Sequence, residues 1–182
     1  MSKWLAAAAI SVLAWPVLPV QAFADEQLYS YDPASASAHT LTDTGLSFQF
    51  ERGLLGGVRI ERIIQTGDRG SADLRRASES DLGRGGLKAA LGHERPAGAL
   101  YEIRPDADGK AFVRAVCPGA ERAWLVIGPL ERFRNLKIQA VGRDAGAPAA
   151  RACSSMDFTF YSDWQLPERE APPTRFPIGA RE

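Results

Sequence analysis

The chain has 182 residues, with 22 basic and 22 acidic side chains, and 45% of its residues are hydrophobic. The balanced charge gives no support for nucleic-acid binding or for polybasic attachment to a membrane surface. Length and apolar content suit one globular domain with a real core.

The N-terminus reads as a secretory signal peptide, residues 1–24. Lys3 supplies a short basic region, and an apolar run from Leu5 to Val20 follows. With about 16 apolar residues, broken by Pro16 and Pro19, that run falls short of the roughly 20 needed to span a bilayer. Small residues at Ala22 and Ala24 suit cleavage; Ala24 is the expected site and Ala22 the second choice. No cysteine lies near it, so a lipid anchor is not expected. No later apolar run is long enough to span a membrane, and the product is expected to be periplasmic or secreted.

Residues 25–166 then read as a single β-rich domain. Leu28–Tyr31 is a short strand ended by Asp32-Pro33, and Ala34–Ala38 is a small-residue linker. Thr40–Glu51 is a strand region with a turn at Asp43-Thr44-Gly45; Leu46, Phe48 and Phe50 alternate with polar neighbours. A glycine-containing connection, Gly53–Gly57, leads to the strand Val58–Gln65, with Val58, Ile60 and Ile64 on one face. These two strands form a hairpin.

Residues 67–98 interrupt the β pattern and read as a partly helical insertion. Leu74, Ala77 and Leu82 have loosely helical spacing over Ala72–Leu82, Gly83 ends that stretch, and a second helical turn covers Leu87–Leu91. Strands resume at Ala99–Arg104. Asp106-Ala107-Asp108-Gly109 reads as a hairpin turn into a strand over Ala111–Cys117. Ala123–Ile127 is apolar throughout, the pattern of a strand covered on both faces. In Asn135–Val141 the residues Leu136, Ile138 and Ala140 share a face. Residues 142–151 form a surface loop. Met156, Phe158, Phe160 and Trp164 then alternate with Asp157, Thr159, Tyr161 and Asp163. Residues 167–182 are a Pro-rich tail expected to be disordered. About eight short strands predict an all-β fold, a small antiparallel sandwich or barrel.

Cys117 and Cys153 are the only cysteines. In an exported chain they are expected to form a structural disulfide. The spacing is not that of a CxxC redox motif, and with two histidines in the chain there is no zinc signature. No metal or other cofactor is expected. Asp106 to Gly109 lacks the remaining ligands of a calcium loop. Neither Gly53–Gly57 nor Gly83–Gly86 is a phosphate loop, although Gly83–Gly86 with Arg84 and Lys88 has the make-up of a weak anion nest.

For function, the leading reading is an exported, periplasmic, non-enzymatic binding or accessory domain that contacts another envelope protein or a glycan. Its best candidate surface is the polar face of the last strand, with Tyr161 beside Asp157 and Asp163; Trp124 and Trp164 are expected in the core. One alternative is a small envelope hydrolase using His93 and Glu94 with nearby acids or with Ser78 or Ser80, although no nucleophile elbow is present. Another is a structural envelope component that assembles through an open sheet edge. The pattern does not set an oligomeric state.

Overall fold

A computed structural model describes residues 26–53, 56–66, 70–92 and 98–165. The expected signal peptide with its expected Ala24 site and the Pro-rich tail lie outside the described residues. The fold is an eight-stranded antiparallel barrel, closed in chain order. Its strands are β1 (Glu26–Pro33), β2 (Leu46–Arg52), β3 (Val58–Gln65), β4 (Ser71–Arg76), β5 (Ala99–Ile103), β6 (Arg122–Ile127), β7 (Leu136–Arg143) and β8 (Arg151–Gln165). β1 pairs with both β2 and β8, so closure consumes the open edge on which assembly through a sheet edge would rest.

The barrel is filled. Tyr29, Tyr31, Phe48, Phe50, Ile63, Leu125, Ile138 and Phe158 pack inside it, with T-shaped ring contacts from Tyr31 to Phe48 and Phe160. Eight strands enclose an interior that side chains of this size just fill. Antiparallel order puts the β1–β2, β3–β4, β5–β6 and β7–β8 connections at one end. The other end carries the remaining connections and both Glu26 and Gln165.

Two helices close the first end. The first, α1 (Ala36–Leu41), occupies what reads in sequence as a linker and the start of a strand. Ser35 caps it, accepting from the Ala38 amide at 3.3 Å, and Ala38 and Leu41 are buried. The Leu41 carbonyl accepts from the Gln65 side chain, and Ala34 bonds to Asp157, so α1 spans the end from β3 to β8.

The expected strand over Ala111–Cys117 is instead the C-terminal part of a helix, α3 (Ala107–Val116), numbered after α2 below. The expected hairpin turn is its cap, with the Asp106 carboxylate accepting from Gly109 N at 2.7 Å. Gly109, Phe112, Val113 and Val116 are buried at spacings of three, four and seven, one stripe of a helix. Gly109 is required by close approach: a Cβ there would lie 1.7 Å from the Arg104 carbonyl oxygen.

The barrel still has eight strands because one was hidden in the insertion. Of the stretch Ala72–Leu82 expected as helix, the first part belongs to β4 (Ser71–Arg76), with Ala72 and Leu74 buried inside the barrel. Among the described residues the rest of the insertion holds a 3-10 turn, Glu79–Leu82, followed by α2 (Gly86–Leu91). It lies on the outside of the barrel. Leu82, Leu87 and Ala90 cover Leu100, Trp124, Val126 and Val141 in a second apolar cluster. This is why β6 is apolar on both faces: Ala123, Leu125 and Ile127 face in, and Trp124 and Val126 face the insertion.

Cys117 and Cys153 form the expected disulfide, with Cα atoms 5.1 Å apart. It joins the end of α3 to β8. Cys153 is the extra residue of a bulge, since Ala140 and Val141 face Ser154 and Ala152. Gly142 leaves room for the sulfurs; a Cβ there would lie 2.2 Å from Cys117 Sγ.

Two further bulges redirect side chains. On β3 the extra residue is Glu61, so Ile60 and Ile63 face in. Ile64, expected beside Ile60, faces out. On β8 the extra residue is Tyr161, because Ser30 pairs with Ser162 and Tyr31 with Phe160.

Candidate functional site

The end opposite α1 and α3 is the mouth of the barrel. The β8 bulge decides what lines it. Met156, Phe158 and Phe160 face inward, as the alternation predicts. Past Tyr161 the phase inverts, and Asp163, opposite inward Tyr29, turns into the barrel. Trp164 therefore faces out and is 60% exposed, which corrects its expected place in the core. Trp124 is fully buried, as expected.

A cavity of about 470 Å³ opens at this mouth, lined by Gln27, Tyr29, Arg132, Asp163, Trp164 and Gln165. Gln27, Tyr29, Asp163 and Gln165 come from the paired ends of β1 and β8. Arg132 comes from the β6–β7 connection, which is anchored by buried Leu130. Its guanidinium meets the Asp163 carboxylate at 2.6 Å and lies 5.2 Å from the ring of Phe133. Phe133 holds φ at 63°, a left-handed conformation that a bulky residue rarely adopts, and its ring is 75% exposed. That ring touches Phe160 edge-on at 5.4 Å. Tyr29 forms the floor, 6% exposed, with ring contacts to Phe50 and Phe160.

The structure separates the residues expected to form a binding face. Tyr161 and Asp157 lie on the outside of β8, Tyr161 being 68% exposed as expected of it. Asp163 belongs to the cavity. The break in pattern is visible in the sequence, since Ser162 stands where the alternation calls for an apolar residue. Gln27, Tyr29, Arg132 and Gln165 carry no such mark; only closure of the barrel brings them together.

Other candidates find structural employment. His93 and Glu94 lie outside the described residues. Ser78 and Asp81 form the capping box of the 3-10 turn, and Ser80 shares a hydrogen bond with the Ser78 hydroxyl at 2.7 Å. The Ser78 amide, and then its hydroxyl, hold the Asp81 carboxyl below its ordinary range. His39 is exposed in the last turn of α1. In Gly83–Gly86 the Arg84 amide donates to the Pro148 carbonyl and the Gly86 amide to Gly83, so those groups do not form an anion nest. Among the described residues no three His, Cys, Asp or Glu side chains are placed to hold a metal ion. Among the same residues no helix is long and apolar enough to cross a membrane.

No family model, curated protein or solved structure matches this chain.

Proposed function

We propose that this chain is a non-enzymatic binding module of the periplasm whose ligand, a segment of envelope glycan, sits at the mouth of the barrel. The observation that carries this reading is the composition of the cavity. A charged pair, Arg132 and Asp163, stands beside the amides Gln27 and Gln165 over the ring of Tyr29. Mouths of barrels are a preferred place for ligands, and a few convergent polar groups over an apolar floor fix orientation. Carboxylate, guanidinium and amide groups present paired donors and acceptors, which suit the adjacent hydroxyls of a sugar. Phe133, Tyr161 and Trp164 are the exposed large hydrophobic side chains among the described residues, and all three lie on or beside the mouth-side end of β8. Rings so placed offer faces for a sugar to pack on. The strained backbone of Phe133 fits this reading, because such strain concentrates at functional sites. The disulfide fits an oxidising compartment, as the expected signal peptide requires.

The test is a titration of the purified protein with a panel of neutral and acidic oligosaccharides, followed by tryptophan fluorescence. At least one should bind, and Asp163→Asn should weaken it about tenfold by releasing Arg132 and removing an acceptor. Absence of binding throughout the panel at millimolar concentration, or an unchanged affinity in Asp163→Asn, overturns the reading.

A further inference from the structure

Strand parity shows what else faces the mouth. β2 turns Leu46, Phe48 and Phe50 inward, and Arg52, two residues on, belongs to the same row. β4 turns Ala72 and Leu74 inward, and Arg76 follows them. Both strands end at the mouth.

Each guanidinium is held by an inward tyrosine. Arg52 donates to the Tyr29 hydroxyl at 3.5 Å and lies 5.7 Å from the ring centre of Phe50. Arg76 donates to the Tyr101 hydroxyl at 3.3 Å and lies 5.3 Å from the same tyrosine's ring. The Tyr101 hydroxyl in turn donates to the Val58 carbonyl at 3.5 Å. Val58 is the residue opposite Arg52 in the β2–β3 pairing, so the Tyr101 hydroxyl links the Arg76 guanidinium to the residue opposite Arg52.

The described acids at this end that form ion pairs have other partners. Asp163 is paired with Arg132, Glu51 with Arg59 and Glu131 with Arg134. The Glu26 carboxylate accepts from the Gln49 side chain. Among the described residues neither Arg52 nor Arg76 has a carboxylate partner. The Tyr29 hydroxyl accepts from Arg52, and its own proton has no acceptor among these residues. The inner rim thus presents two positive charges and a hydroxyl donor, held in place by aromatic rings.

We propose that the ligand carries an anionic group, a carboxylate or a phosphate, held by Arg52 and Arg76 with the Tyr29 hydroxyl. The inference rests on the reading of the mouth as the ligand seat. Guanidinium matches either oxyanion with two parallel hydrogen bonds. Asp163 does not oppose this, because Arg132 neutralises it.

The experiment is calorimetric titration of the full exported chain with four probes: a glucuronate disaccharide, its methyl ester, glucose 6-phosphate and glucose. The first pair isolates a carboxylate and the second a phosphate. At least one acidic probe should bind about tenfold or more tightly than its neutral partner. Arg52→Gln and Arg76→Gln should each shrink that ratio, and the wild-type affinity for the acidic probe should fall as salt rises. The salt titration needs no variant, so it decides the matter even if a substitution prevents folding. Equal affinity for acidic and neutral partners, with no salt dependence, overturns the anion site and leaves the binding module standing. Failure of all four probes overturns the anion site, and failure of the wider oligosaccharide panel as well overturns both.

Discussion

Tyr31 is 1% exposed, and its hydroxyl has no hydrogen-bond partner among the described residues. A buried polar atom without a partner costs free energy that its apolar counterpart does not. Burial pushes the Tyr31 hydroxyl far above the ordinary tyrosine range, and neighbouring Tyr29 adds to the shift. The sign follows from linkage. Above about pH 10 the unfolded chain releases this proton while the folded chain keeps it, so stability falls as pH rises. Tyr31→Phe should therefore stabilise the protein by about 1 kcal/mol at neutral pH. It should also flatten the alkaline loss of stability. Denaturant unfolding at neutral pH and above pH 10 measures both; an unchanged alkaline slope in the variant would show that Tyr31 is solvated. The ring was legible in sequence as part of a strand. Its missing partner was not, because that depends on every strand around the barrel.

At the scale of elements, α3 shows where local pattern misleads. Residues 111–117 alternate well enough to suit a strand, and Asp108-Gly109 suits a hairpin turn. The helical stripe of Gly109, Phe112, Val113 and Val116 is in the same residues. The choice between the two lies in tertiary packing, since this stripe closes one end of the barrel against the inward side chains. The two readings differ at Asp106. As a helix cap it satisfies an amide of the first turn, and Asp106→Ala should cost about 1 kcal/mol, measured by denaturation, with a small loss of helical circular dichroism. A change confined to a few tenths of a kcal/mol would mean that this cap adds little. Arg122 and Arg143 illustrate the same dependence on packing. Their guanidiniums lie 5.0 and 5.5 Å from the ring centre of Trp124, and buried Glu102 holds both Arg75 and Arg122. Apart from Arg122 over Trp124, two residues away, none of these pairings is local in sequence.

At the scale of the whole molecule, the described residues form a closed barrel with two helices over one end, an insertion over one side, and a disulfide between the end of α3 and β8. The bridge joins residues 36 apart in sequence. Restricting the unfolded chain in this way stabilises the fold by roughly 3.8 kcal/mol in the chain-entropy description. The Cys117→Ser/Cys153→Ser double variant should therefore lose about 2–4 kcal/mol in equilibrium unfolding. A loss below about 1 kcal/mol would mean that α3 and β8 are held by packing alone.

Composition and period by themselves determined the all-β class, the two-faced burial of Ala123–Ile127 and the pairing of the only two cysteines. These follow from local alternation, from the requirement that apolar faces be covered, and from simple count. Only the tertiary structure decided that the sheet closes, that α3 is a helix, and that Ser71–Arg76 is the missing strand. It also decided the mouth. A bulge is a mismatch of two residues against one, and it exists only between paired strands. The extra residue at Tyr161 turns Asp163 inward and Trp164 outward. Arg52, Arg76 and Arg132 reach the same opening from separate parts of the chain because closing the sheet brings those strand ends to one rim.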